Sequence, residues 1–438
     1  MRVKVIGAGL AGCEAVWQLV KCGIGVDLYE MKPNKYTPAH QSENFCELVC
    51  SNSLKAERVE NACGLLKEEM RYFDSIIMRG ADVSKVPAGG ALAVDRDIFA
   101  EHITNLIKSH PLVNVHSEEV TKIDTDSYTI IATGPLTSGP LADEIAKLTG
   151  QDSLFFYDAA APIVTKESID MDKVFYGARY DRGTADYINC PMTKEEYDAF
   201  YEELITAETA PLKEFENQKV FEGCMPVEVM AKRGRETLLF GPLKPVGLTN
   251  PKTGKDDAHA VIQLRQDNKD ATLYNLVGFQ TNLKFGEQKH VFSMIPGLEN
   301  AEFVRYGVMH RNTYIDAPRV LDHYYRMKNH EKVYFAGQIT GVEGYVESAS
   351  SGLLAGYNMA RQIMGKPLFE PSSKTAIGAL PLYISNGAIE KLQPMNANFG
   401  IIDSLNERIR NKVDRYRRIA EIALETIEKQ VKENEINE

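Results

Sequence analysis

Long apolar runs are missing from this sequence: no stretch approaches the ~18 consecutive apolar residues that a membrane-spanning helix requires. The opening Met1-Arg2-Val3-Lys4-Val5-Ile6 could pass for the start of a secretion signal, but it runs at once into Gly7-Ala8-Gly9, and the chain is expected to be cytoplasmic. Cysteine is thin. The seven cysteines, Cys13, Cys22, Cys46, Cys50, Cys63, Cys190 and Cys224, form no CxxC pair, which speaks against a zinc ribbon or a disulfide framework and leaves free thiols. Net positive charge is missing too. With 50 basic and 61 acidic residues the formal charge is −11, so non-specific coating of nucleic acid is disfavoured and any polyanion must find a local basic surface. There is no internal repeat and no low-complexity tract.

What is present is an ordinary globular composition, 44% apolar and 25% charged over 438 residues, enough for two or three domains. Residues 2–6 read as a strand, 7–12 as a glycine turn, 11–21 as a helix and 25–29 as a second strand ending at Glu30. Helices are expected at 64–73 and 98–109, and an apolar strand at 129–132 stops at Thr133-Gly134-Pro135. From about 152 to 319 the texture changes to short strands, turns and aromatic-rich segments, as at 173–178, 237–240 and 273–279. The earlier pattern resumes with a strand at 333–337 and a helix at 347–364. The expected fold class is therefore α/β, with a Rossmann-like domain from residues 1–151 and 320–366 interrupted by a more β-rich α+β insertion at 152–319. A C-terminal segment, 367–438, ends in a long helix over 407–432, on which Ile409, Val413, Tyr416, Ala420, Ala423, Ile427 and Val431 form one apolar stripe.

Gly7-Ala8-Gly9-Leu10-Ala11-Gly12 matches GxGxxG, and its setting between strand and helix carries the meaning. Gly7 makes the tight turn, Gly9 lets a pyrophosphate approach the backbone, and Gly12 lets helix and strand pack closely. The phosphates would sit at a helix N-terminus. Glu30, followed by Met31, lies 18 residues after Gly12, the right reach for a ribose-binding carboxylate. Two further glycine elements, Ile131-Ala132-Thr133-Gly134 and Phe335-Ala336-Gly337-Gln338, resemble FAD enzymes of the glutathione-reductase type, although Gln338 stands where many of those carry Asp. Gly344-Tyr345 opens a helix whose N-terminus would favour negative charge on a reduced flavin. FAD is the expected cofactor.

Residues 336–349, Ala-Gly-Gln-Ile-Thr-Gly-Val-Glu-Gly-Tyr-Val-Glu-Ser-Ala, resemble the signature of the GidA group of RNA-modifying flavoproteins. Glu47 to Leu54, Val86 to Arg96 and Phe221 to Pro226 resemble its smaller branch, the folate- and FAD-dependent tRNA (uracil-5-)-methyltransferases, over nearly the whole chain. The resemblance implies methylation of C5 of a uridine in the tRNA T-loop, at position 54. In such an enzyme 5,10-methylenetetrahydrofolate is the one-carbon donor, reduced FAD the reductant, and NADH or NADPH reloads the flavin. It implies no membrane and no obligate protein partner. Three other readings fit parts of the pattern: the same chemistry on ribosomal RNA, a flavin oxidoreductase acting on a small metabolite, and an RNA-binding module with structural FAD. A fourth, the wobble-uridine modification of larger GidA relatives, is disfavoured because this chain lacks the length of their C-terminal helical domain.

Uracil C5 becomes nucleophilic only when something adds at C6, and a thiolate suits that reversible addition. By resemblance Cys224 is the expected nucleophile, with Lys232, Arg233 and Arg235 close behind it in sequence. Cys50 would assist, at the C5 proton or the flavin, and the two roles could be exchanged. His310 and Arg311 are the candidates for the folate pterin. RNA contacts are expected at Lys232, Arg233 and Arg235 and along Arg408, Arg410, Lys412, Arg415, Arg417 and Arg418, a basic run with Asp414 as its one acid.

Overall fold

The computed structural model describes residues 1–150, 154–181, 183–210, 225–403, 405, 407 and 409–434. Strand β1 (Arg2–Ile6), helix α1 (Leu10–Lys21) and strand β2 (Gly25–Glu30) form the first β-α-β unit. Val3 and Val5 of β1 and Val26 and Leu28 of β2 are fully buried, as alternation in a sheet covered by helices requires. β1 lies at the middle of a six-stranded sheet, parallel to β2 on one side and to Thr129–Ile131 on the other. His330–Phe335 pairs in parallel beyond Thr129–Ile131, and Val113–Ser117 in parallel beyond β2, so strands distant in sequence share the sheet.

Helix Tyr345–Ile363 packs on α1 because two glycines bring the backbones together: a Cβ on Gly352 would lie 2.1 Å from the Ala11 carbonyl oxygen, and one on Gly356 2.5 Å from that of Ala15. This contact fastens the glycine loop of β1–α1 to the late element of the chain.

A second six-stranded sheet is antiparallel throughout, in the order Phe175–Gly177, Tyr187–Met192, Ala260–Gln266, Leu273–Leu276, Ile163–Thr165 and Phe303–Arg305. It has its own core around Tyr197, Phe200, Phe279 and Phe292. Leu154–Ala159 and Met309–Tyr314 pair antiparallel as a two-stranded ribbon flanking this sheet in sequence. A small antiparallel sheet, Ser53–Ala56 with Ala91–Val94 and Lys85–Val86, follows the Cys50 segment. Residues Thr237–Phe240, one of the short strand-, turn- and aromatic-rich segments of the insertion, form a 3₁₀ turn with Phe240 83% exposed.

The C-terminal helix runs Lys412–Glu433, not from 407, because Asn411 accepts the Val413 and Asp414 N–H groups (2.8 and 3.3 Å) and so caps it there. Its buried face is Ile419, Ala420, Ala423, Ile427 and Val431; Val413, assigned to the stripe, is 52% exposed. Among the described residues no helix is long and apolar enough to cross a membrane.

Candidate functional site

The glycine turn opens into a cleft at the C-terminal edge of β1. Gly7, at φ +98°, has no room for a side chain: a Cβ would stand 2.5 Å from the Ala132 carbonyl oxygen. A Cβ on Gly12 would meet the Gly7 carbonyl oxygen at 1.8 Å, so Gly12 serves the packing of helix on strand. Gly9 differs, since a Cβ there would meet nothing within 4 Å and its bare backbone faces open space. It is also the N-cap of α1 and provides no side-chain cap, leaving the first N–H groups of the helix for an anion. Ala8, Leu10 and Ala11 line the same wall.

Glu30 is buried at the end of β2, its Oε2 accepting the Ala8 N–H (2.9 Å) and its Oε1 the Lys32 N–H (3.1 Å). These bonds hold the carboxylate at the cleft and leave each oxygen a lone pair. Met31, Gly134, Gly337, Gln338 and Tyr345 line the same space. The Gln338 side-chain amide donates to Glu343 Oε1 (2.9 Å), so it is held by the protein itself. Gly344, at φ +117°, is the N-cap of helix Tyr345–Ile363 and again supplies no side-chain cap. Two helix N-termini without side-chain caps, glycines at the approach points and a buried acid suit a dinucleotide.

Cys50 lies one residue beyond Val49, which lines this cleft. Its N–H and that of Ser51 both donate to the Tyr345 hydroxyl (2.7 and 3.2 Å), and its Sγ lies 3.6 Å from the Ala159 carbonyl oxygen. The segment around it is fastened on every side. Arg96 donates to the Leu48 carbonyl, and Arg305 to that of Val49 (2.6 Å). Arg265 donates to Asn52 Oδ1 (3.1 Å) and Ser51 Oγ (2.6 Å), while the Asn52 amide donates to the carbonyls of Val94 and Gln266 (3.0 and 2.9 Å). Only Asp267 among the described residues pairs with any of the three guanidinium groups, through Arg96. Burial pushes the Arg265 and Arg305 guanidinium groups below their ordinary range and the Tyr345 phenol above its own.

Sequence reasoning missed this arginine cluster, because its members come from three distant segments. The only hint was that Arg96 closes a family-like stretch.

Cys224 lies outside the described residues, as does Arg408. His310 and Arg311 stand opposite Asp158 and Tyr157 in the two-stranded ribbon; their side chains are outside the described part. Cys13, Cys46, Cys63 and Cys190 are buried, and burial pushes the Cys63 thiol up to about 12, the opposite of activation. Of the basic candidates, Lys232 and Arg233 are exposed at the end of helix Val227–Lys232. Arg235 is committed to Asp198 and Glu202 and lies over the Tyr201 ring, which neutralises much of its charge. Arg418 pairs with Glu407 and Glu421, and Arg417 with Glu60. Arg410, Lys412 and Arg415 have no carboxylate partner among the described residues, and the last two lie over the Tyr416 ring.

Residues 2–367 match the family model described as glucose inhibited division protein A, GidA. A relative from Listeria monocytogenes serovar 1/2a, named methylenetetrahydrofolate--tRNA-(uracil-5-)-methyltransferase TrmFO, is 62% identical over 431 residues, 98% of this chain and 99% of its own. Proteins of the same name from Bacillus pumilus and Desulforamulus reducens are 61% and 60% identical, over 97% and 99% of this chain and 98% of each of theirs. Among solved structures, Aquifex aeolicus GidA superposes with a TM-score of 0.69 at 16% identity, covering 99% of this chain and 78% of that one, a likeness of fold. The chain belongs to the GidA family and, within it, to the group formed by the TrmFO proteins.

Proposed function

We propose that this chain methylates C5 of a uridine in tRNA, at position 54 of the T-loop, with 5,10-methylenetetrahydrofolate as one-carbon donor and FAD as the cofactor of the cleft. The observation that carries the reading is the fastening of the Cys50 backbone to the Tyr345 hydroxyl: a cysteine is held next to Val49 and Tyr345, which line a cleft suited to a dinucleotide. The printed name of relatives 60–62% identical over nearly the full chain supports the substrates.

The cleft fits FAD by its donors. The uncapped start of α1 and the Gly9 backbone would take the pyrophosphate, Glu30 the adenosine ribose, and Gly337, Gln338 and the start of helix Tyr345–Ile363 the flavin end. With FAD held there and reduced by NADH or NADPH, the cleft would supply a hydride for turning a C5 methylene into a methyl group. The protein's own part is to make C5 react. A thiolate adds to C6, and C5 then bonds to the folate's methylene carbon; loss of the C5 proton breaks that carbon's bond to the folate nitrogen, releasing tetrahydrofolate and leaving an exocyclic methylene, and a hydride added to this methylene would expel the sulfur and restore the C5–C6 double bond. Cys224 takes the addition and Cys50 the C5 proton in this account. His310 and Arg311 would hold the pterin.

The test is direct: purified protein, methylenetetrahydrofolate, NADPH and an unmodified tRNA transcript, followed by nuclease digestion and mass detection of 5-methyluridine. Product at position 54 is expected. NADPH oxidation without product would favour a small-molecule oxidoreductase, and product only in ribosomal RNA would move the target.

A further inference from the structure

A second cleft lies beyond the small-sheet strand Ser53–Ala56 that follows the Cys50 segment. Its walls come from the end of the first small-sheet strand and the chain after it, from the Gly89-Gly90 turn, from the antiparallel sheet and from the first two turns of the C-terminal helix. The lining holds three guanidinium groups, Arg58, Arg179 and Arg417, against one carboxylate, Glu60, in a chain whose overall charge is −11. Glu60 pairs with Arg417 (3.2 Å). Arg179 is held by neutral acceptors, Gln263 Oε1 (3.0 Å) and the Val246 carbonyl (2.9 Å), so its charge is fixed in place without a carboxylate partner among the described residues. Arg58 is exposed with no carboxylate partner among the described residues. Burial alone pushes the Arg179 guanidinium below its ordinary range, a cost that an incoming anion would relieve.

The two clefts are close. Val49 lines the first and Ala56 the second, so seven residues of chain, at most about 25 Å, separate them. Tyr187 in the second cleft also lies beside the Arg265 guanidinium, which donates to Ser51 Oγ next to Cys50.

We infer that this second cleft seats the phosphate backbone of the RNA substrate, with Arg58 and Arg179 as its principal contacts, so that RNA and cofactor occupy separate clefts joined by residues 49–56. The inference rests on the proposed RNA substrate and deepens it by naming the surface. Charges contributed by three separate segments suit a run of phosphates. A dinucleotide pyrophosphate would want a free helix N-terminus, and the helix here, Ala62–Arg71, has its Cys63 N–H already taken by Asn61 Oδ1 (3.1 Å).

The experiment measures tRNA binding by the flavin-loaded, full-length protein at several salt concentrations. Variants are Arg58→Glu, Arg179→Glu and the milder Arg179→Gln, with exposed Lys194→Glu as the control for charge. Thermal unfolding and flavin absorbance identify any variant that fails to fold, in which case Arg58→Glu and Arg179→Gln carry the test. A rise in Kd of at least tenfold for each Glu variant is expected, with a salt slope shallower by about 0.7 per lost phosphate contact. Affinities within twofold of Lys194→Glu would overturn the surface, as would a raised KM for NADPH with RNA affinity unchanged. Failure here is separable from failure of the proposed function, because 5-methyluridine formation by the unaltered protein judges the latter alone.

Discussion

Arg96 and Asp267 meet across the boundary between the two large sheets, through three hydrogen bonds of 3.1–3.3 Å, while the remaining nitrogen of Arg96 holds the Leu48 carbonyl. Asp267 is 4% exposed and is the only carboxylate among the described residues paired with the three arginines behind Cys50. Asp267→Asn removes the charge and keeps the shape, leaving Arg96 buried without its counter-ion. A loss on the order of 3–5 kcal/mol is expected in denaturant unfolding. A kcat reduced more than KM for tRNA is also expected, because the Cys50 segment loosens. A loss below about 1 kcal/mol with unchanged kcat would show that the pair does not hold this segment.

The loop glycines separate fold from ligand. Gly12→Ala forces a Cβ to within 1.8 Å of the Gly7 carbonyl oxygen, and a stability loss of at least about 1–3 kcal/mol is expected with or without cofactor. At Gly9 the added carbons have space. Gly9→Val is expected to purify folded but with FAD affinity at least tenfold lower, as read by flavin absorbance after gel filtration. Wild-type flavin content would place the phosphates elsewhere.

Glu69 provides a pH test. Its carboxyl is fully buried and accepts the Ala376 and Ile377 N–H groups (2.9 and 2.7 Å), yet burial outweighs these bonds and pushes it up to about 8. The unfolded chain releases this proton near pH 4.5 and the folded chain near 8. Between those values the folded state binds more protons, so this group's contribution to stability falls as pH rises, by at most about 1.4 kcal/mol per unit. From pH 5 to 8 the melting temperature of the unaltered protein should fall relative to that of Glu69→Gln, which lacks this titration. Parallel curves would mean that Glu69 is ionised throughout.

The first β-α-β unit was legible because its information is local: Gly7, Gly9, Gly12 and Glu30 all fall within 30 residues. The contact between α1 and helix Tyr345–Ile363 was not, although Gly352 and Gly356 are spaced for it, because a glycine pair does not say which helix it meets. Likewise nothing in the sequence joins Arg96, Arg265 and Arg305, and only the fold turns them into the support of residues 48–52. On the C-terminal helix the 3.6-residue period continues through Val413 and Ile409, but the Asn411 cap decides where the helix starts.

Cys224→Ala is expected to abolish methylation while the protein stays yellow, since the thiol acts on uracil and FAD is held by other residues. Retained 5-methyluridine formation in that variant would transfer the nucleophile's role to Cys50.

The most direct test of the account is the rate of 5-methyluridine formation by flavin-loaded Cys50→Ala in single turnover with prebound tRNA, compared with the unaltered protein. A fall of at least 100-fold, with tRNA affinity and flavin absorbance preserved, is the predicted result. A rate within threefold of the unaltered protein would contradict a working role for the thiol of Cys50, whose backbone Tyr345 holds beside the cleft.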